Sequence, residues 1–518
     1  MKNILSIKTA VVFTCALSLI AQSAMAQTFS SFNAGDLVLS YVSDQVSPTI
    51  TASALDTASP ISLQQFQLSV GGTVATMEGA PLVLPQTANG ANAAISGEFG
   101  SASEGILQQS VNGQYLTIMG YGVNASTFNT DGGLGASSPY GTAALGQTTS
   151  LTGQSSITVP RVVALIGANG SVDTSTALTG VFNMNNPRSV ATVDGTSFYV
   201  SGQGVTGDGT GGVFYATDGA TTATAINNNT TTPTGSATAN ALTGTETRAV
   251  EIVDVNGVNT LMVSRDYSPS GSPNDSTDIR SLTAPGGGLP TSTTGLTATR
   301  LTNLNSSSGA GGNTLGGNFS SINVTAANEN GVNNSRSGKF VYLSPEQFFF
   351  ASPSVMYVTD SGQPKNGSAN AAALGEGGLQ KWINSEPDGS GTWSLAYDLV
   401  SGLNLVNNAN ANSNTPTANG VTGLFGLTGE VVGGNVELFA TSYGLNELAE
   451  SYLYEITDTL SDTTISQASG EEFSTLYTDA TGQTSLRGVA FAPTPEPTSV
   501  LLILSAGGMV LGMVRRRG

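Results

Sequence analysis

A hairpin that keeps coming back constrains this chain more than any other feature. Arg188–Gly195 reads RSVATVDG and is followed by SFYVSGQG (Ser197–Gly204). The same shape occurs earlier as GILQQSVNG and YLTIMGYG (Gly105–Gly122). It recurs as TRAVEIVDVNG with TLMVSRDY (Thr247–Tyr267), QFFFASP with VMYVTDSG (Gln347–Gly362), and GLFGLTGEVVGG with VELFATSY (Gly423–Tyr443). Each copy joins two short runs rich in Val, Tyr and Phe through a Gly, Asp or Asn turn, which is hairpin chemistry. Two further strand-like runs follow each copy, for example GGVFYATDG and TATAINN, or GGLQKWINS and WSLAYDLV. Five units of four antiparallel strands are therefore expected.

The chain ends complete the pattern. LRGVAFAP (Leu486–Pro493) reads as a first strand with no unit after it. GDLVLSYVSD and SLQQFQLS, near the other end, read as third and fourth strands with no unit before them. Joined, they form a sixth, incomplete unit. Pairing the last strand with the first ones is how a β-propeller removes its open edges. The expectation is an all-β protein: a propeller of six four-stranded blades closed by its N- and C-terminal strands, with a C-terminal hydrophobic anchor helix. A degenerate blade hidden between Leu304 and Lys339 would raise the count to seven. Unit starts lie roughly 60 to 100 residues apart, against ~40–50 in compact propeller repeats. Low-complexity inserts such as NSSSGAGGNTLGGN take up the excess.

Charge narrows the function. The 518 residues include 16 Lys+Arg against 35 Asp+Glu, a net −19 that disfavours nucleic acid and anionic membrane surfaces as partners. There is no histidine, which removes the Ser-His-Asp triad, Cys-His pairs and HExxH zinc sites. Catalysis would have to rest on carboxylates, Tyr, Lys or a bound cation.

Both termini carry targeting patterns. Lys2 and Lys8, the apolar ALSLIAQ and the small-x-small Ala24-Met25-Ala26 form a secretory signal over residues 1–26, with cleavage before Gln27. The lone Cys15 lies inside the apolar core and not after it, against a lipoprotein. At the other end come Pro495-Glu496-Pro497, a fifteen-residue apolar run from Val500 to Val514, then Arg515, Arg516 and Arg517. That run spans roughly 22 Å as a helix, short of the ~30 Å hydrocarbon core, and the arginines suit the cytoplasmic face. A temporary anchor and an ordinary membrane tail both fit these numbers. The order and spacing of the three parts resemble the PEP-CTERM sorting signal of Gram-negative bacteria. The resemblance covers residues 494–518 and implies recognition by an exosortase, removal of the tail near Pro495–Pro497, and export beside exopolysaccharide or biofilm matrix. Residues 27–493 are then the propeller domain.

The body offers few candidate sites. Acidic, Gly-rich loops at Asn129–Gly133, Gly207–Gly212, Asp254–Gly257 and Pro273–Asp278 could lend oxygens to calcium, but none has the full Asp-x-Asp-x-Asp-Gly pattern, and such loops are mostly tight turns. Trp382 and Trp393, with Tyr397, could stack on sugar rings or fill the space between blades, with filling favoured. Arg188, Arg248 and Arg487 each precede an apolar first strand. They would either converge on an anionic ligand in the channel or pair with Asp at blade ends. No catalytic, cofactor-binding or metal residue is assigned. Two functions remain in view. The preferred one is an exported, non-enzymatic surface or matrix protein binding exopolysaccharide or other surface components, with exosortase and the secretion machinery as partners. The alternative is a propeller hydrolase or lyase acting on a polymer or lactone.

Overall fold

Tight turns set the hairpins. In the computed structural model, Asn256 (φ 56°) and Gly257 (φ 82°) form a two-residue turn between Val255 and Val258, the left-handed pair that matches strand twist. The structure describes residues 28–43, 58–69, 74–99, 103–129, 158–205, 208–226, 247–267, 276–301, 344–361, 377–405, 421–444, 450–479 and 484–495, with residues 72, 101, 145–146, 321–323, 330 and 340–342. The signal residues Ala24, Ala26 and Gln27, the sorting residues Glu496, Pro497 and Arg515–Arg517, and the expected anchor helix lie outside these. Among the described residues no helix is long and apolar enough to cross a membrane.

The chain begins with β1 (Leu37–Ser43), β2 (Ala58–Leu68) and β3 (Ala75–Val83). It continues through β4 (Ser96–Glu98), β5 (Gln108–Gln109), β6 (Tyr115–Tyr121), the single-turn α1 (Ala125–Phe128), β7 (Arg161–Gly167), β8 (Val172–Asp173) and β9 (Ala177–Leu178). Two four-stranded antiparallel sheets follow. One is β10 (Pro187–Ala191), β11 (Ser197–Gly202), β12 (Gly212–Thr217) and β13 (Thr224–Ala225); the other is β14 (Thr247–Val255), β15 (Val258–Tyr267), β16 (Ser276–Thr283) and β17 (Thr297–Arg300). Between Leu304 and Lys339 the described residues hold only β18 (Ser321–Asn323), paired with β19 (Phe340–Tyr342), and no four-stranded sheet. Two more four-stranded sheets are β20 (Pro345–Ser352), β21 (Val355–Asp360), β22 (Gly378–Asn384) and β23 (Trp393–Leu399), then β24 (Val421–Val432), β25 (Asn435–Gly444), β26 (Ser451–Thr459) and β27 (Ser474–Asp479). The final strand, β28 (Thr484–Phe491), returns to the start and pairs antiparallel with β1, Leu37 opposite Phe491 and Ser43 opposite Thr484.

This closure corrects one strand assignment. The order is β28-β1-β2 with β3 on the far side of β2, so GDLVLSYVSD is a second strand and SLQQFQLS a third. The fourth is ATMEGAPLV, whose half-exposed, poorly alternating residues give little strand signal. The unit is complete, not truncated. β2 also reaches sideways: Ala58–Pro60 pair with β4, which joins this group to β5–β9 in one ten-stranded sheet.

Apolar packing lies between sheets. Met119 and Val163 meet Val190, Phe198 and Phe214. Tyr199 and Val213 meet Val250 and Leu261. Met262 and Ile279 meet Phe348 and Trp382, while Tyr357 and Leu379 meet Leu438 and Tyr454. Phe439 meets Leu39 and Val489, and Ile61 and Leu63 meet Ile118 and Val162, which returns to the start.

A polar device repeats at the same seams. A hydroxyl on the second strand of each group donates to a main-chain carbonyl on or next to the first strand of the next. Ser40 donates to Gly105 O (2.7 Å), Thr117 to Val190 O (2.8 Å), Ser201 to Arg248 O (2.5 Å), Ser264 to Glu346 O (2.6 Å), Thr359 to Phe425 O (2.7 Å), and Thr441 to Arg487 O. All six hydroxyl residues are fully buried. Each bond satisfies a carbonyl inside the molecule, where an unsatisfied one costs about 1–3 kcal/mol. The arrangement is that of a β-propeller, with its first strands packed side by side around an axis.

Candidate functional site: the axial channel

The two ends of the first strands differ. At their starting end, Arg188 on β10, Arg248 on β14, Glu346 on β20 and Arg487 on β28 lie around Tyr443 of β25. Burial, aided by Glu346, pushes the Tyr443 phenol up to about 12 while Arg248, Arg188 and Arg487 oppose it. The three arginines do come together, but each is already engaged. Arg248 Nη1 pairs with Glu346 Oε1 at 3.0 Å, Arg188 Nη2 donates to Gln203 Oε1 at 3.0 Å, and Arg487 Nη2 donates to Phe99 O at 3.1 Å. Arg188 is 1 %, Arg487 3 % and Arg248 9 % exposed. The void beside Arg487, Glu98 and Glu104 measures about 10 Å³, at the lower limit for one water. Burial pushes Glu104 up to about 7, against the Tyr121 hydroxyl, which donates to it, and the charges of Arg487 and Arg161. This end is a packed ionic plug. The three arginines are held within the protein by Glu346, the Gln203 side chain and the Phe99 carbonyl.

The other end is hollow. A cavity of about 140 Å³ lies where the first strands approach their hairpin turns, and Gln108, Gln109, Thr192, Glu251, Gln347 and Thr428 supply its polar lining. Among the described residues no Lys or Arg lines it, and Glu251 is its one charged residue. Burial pushes the Glu251 carboxyl up to about 8, offset in part by the Phe348 N–H and the Gln347 side chain. Its Oε1 has no hydrogen-bond partner among the described residues. The neighbouring amides are held: Gln108 Nε2 donates to Ser189 Oγ and Val250 O, and Gln109 Nε2 to Ala492 O. The site is a rigid polar cup around a carboxyl that favours its proton at neutral pH.

The other candidates resolve structurally. Asp278, from the acidic stretch Pro273–Asp278, is buried against Arg265 (2.7 Å) and Arg280 (2.9 Å). Burial alone would raise its carboxyl; the two guanidinium groups hold it far below the usual range. Asp208 accepts from Thr210 N and Asp254 from Gly257 N, both ordinary turn bonds. Asn129 accepts from Ala58 N, and the rest of its loop lies outside the described residues. Trp382 and Trp393 are buried in the seam with Phe348 and Phe350, and Tyr397 donates to Asp458, so these aromatics fill space between sheets. Asp458, Asp462 and Glu471 have carboxylate oxygens within 4.8 Å of one another. Asp458 is occupied by Lys381 Nζ at 2.9 Å and by Tyr357 and Tyr397, which describes a buried ion-pair network. Sequence reading passed over Glu251. The available signal was a lone acid inside an apolar first strand, AVEIV.

These features define an all-β protein of propeller arrangement with an axial cup. No family model and no curated protein matches the chain. Solved structures with some likeness include an oligogalacturonate lyase in complex with manganese, at 9% identity over 80% of this chain and 95% of that one, TM-score 0.31. A levansucrase variant of B. megaterium is 9% identical over 70% of this chain and 85% of its own, TM-score 0.32. Bacillus subtilis levansucrase is 8% identical over 70% and 86%, TM-score 0.29. Likeness at this level says nothing of chemistry.

Proposed function

We propose that the chain is an exported six-bladed propeller of the PEP-CTERM type, held transiently at the inner membrane, released by an exosortase, and acting as a binding or structural component of the cell surface or extracellular matrix. Six hydroxyl bonds from one group of strands to the next, and six apolar seams, support the blade number. One observation carries the processing half. The closing strand ends at Phe491, and the chain beyond is tied to the ring by Ala492 N to Asp36 O (2.8 Å) and Thr494 N to Gly113 O (2.7 Å). Pro495 is exposed immediately afterwards. A cut near Pro495–Pro497 leaves every ring strand in place, so tail removal and folding do not interfere.

The test is mass spectrometry of the protein from cells with and without an exosortase, together with retention on purified matrix polysaccharide. A form beginning at Gln27 and ending near Pro497 only when the exosortase is present, and retained by the polymer, is the expected result. A tail that stays attached in both strains sinks the processing claim; a released protein that ignores the polymer sinks the binding claim. Glu251 favours a second reading, a hydrolase or lyase using that carboxyl as a general acid. Polymer chain scission that disappears in Glu251→Gln would select it.

A further inference from the structure

We infer that the cup at the hollow end of the channel is a binding site for a primary ammonium group, of the kind an amino-sugar unit of a matrix polysaccharide carries. This rests on the polysaccharide-binding reading above and names the class of polymer.

The cup holds one ionisable group among the described residues, the Glu251 carboxyl, and one of its oxygens makes no hydrogen bond to them. Burial keeps that carboxyl protonated at neutral pH while the cup is empty, and an arriving cation favours its charged form. A carboxyl in that state is completed by a ligand that brings positive charge and N–H donors together. An ammonium does both, and a hydroxyl supplies only a donor. In surroundings of low dielectric the charge–charge part of the attraction is magnified, so discrimination between amine and amide or hydroxyl is strong. An anionic sugar is disfavoured on the same ground, because no described Lys or Arg lines the cup.

Size and lining point the same way. About 140 Å³ exceeds what a bare ion fills, since one water takes roughly 30 Å³ in the liquid. Around the carboxyl, the Thr428 hydroxyl and the side-chain oxygens of Gln108 and Gln109 suit the neighbouring hydroxyls of a sugar ring, and Phe348 and Phe349 offer an apolar wall. Long-range charge agrees: a chain of net −19 draws cationic polymers toward it and repels uronic-acid polymers.

The experiment uses the purified full-length chain, glucosamine oligomers, and their N-acetylated counterparts, with calorimetry as the readout. The free-amine oligomers are expected to bind at least about tenfold more tightly than the acetylated ones. Glu251→Gln keeps the shape of the side chain and should abolish that preference. Thr428→Tyr, which fills the cup and leaves Glu251 in place, should weaken the free-amine oligomers by a similar factor. Equal binding of both oligomers, or a preference that survives in Glu251→Gln or in Thr428→Tyr, overturns the inference. Retention on the native matrix is scored separately. Matrix retained equally by wild type and Glu251→Gln removes the cup as the site while leaving the polymer-binding function intact. Glu251-dependent oligomer binding without matrix retention does the reverse.

Discussion

Buried charges in this molecule are either matched or conspicuously not, and the two kinds predict opposite behaviour on substitution. Asp278 is the matched kind, wedged between Arg265 and Arg280. Asp278→Asn removes the carboxylate charge that faces two buried guanidinium groups and should cost about 3–5 kcal/mol, read as a lowered midpoint in urea unfolding. Glu251 is the other kind. Its carboxyl rises from 4.5 to about 8 on folding. A raised acid binds its proton more tightly in the folded state, so its contribution to stability is complete below about 4.5 and is lost as pH climbs through about 8. No other described charged side chain lines the cup to blur that titration. Melting curves of wild type and Glu251→Gln should therefore lie close together at about pH 5 and separate by several degrees at about pH 8.5, the variant being the more stable. Curves that stay parallel across that range would mean the carboxyl is hydrated. The sequence shows Asp278 and Glu251 only as two acids among 35. What distinguishes them is which neighbours the sheets bring close, and those come from strands distant in sequence.

At the level of strands, the hairpins were readable because Val, Tyr and Phe runs flanked Gly and Asn turns, and turn chemistry is local. The hydroxyl bonds were equally written in the chain, as an aliphatic residue followed by Ser or Thr in every second strand: Leu39-Ser40, Leu116-Thr117, Val200-Ser201, Val263-Ser264, Val358-Thr359 and Ala440-Thr441. Their meaning needed the partner strand. One short piece escaped for the opposite reason: β8 has two residues, too few for any periodicity. Thr117→Val keeps the shape, removes the bond to Val190 O, and should destabilise by about 1–2 kcal/mol; an unchanged unfolding midpoint would mean water replaces the hydroxyl. Gly488 tests the closing strand. A methyl there would meet the backbone of Leu107 and Gly105, which cannot yield as a flexible side chain would. Gly488→Ala should thus cost about 1–3 kcal/mol by overpacking, measured by the same unfolding curves.

For the molecule as a whole, the first and last described strands are one structural element. Ending the chain at Gln483 removes β28, exposes the apolar edge of β1 and strips the seam around Val489, so the product should aggregate. Ending it at Pro495 should leave melting behaviour unchanged. The antiparallel pairing of β28 with β1 also has a mechanical side. The tail leaves from the C-terminal end of β28, so a pull along it loads the ladder from Leu37–Phe491 to Ser43–Thr484 lengthwise, in shear. Bonds loaded that way share the force and must break together, where a peeled strand would lose them singly. Were the tail the anchor proposed above, a tug on it would load that whole ladder before any strand left the ring.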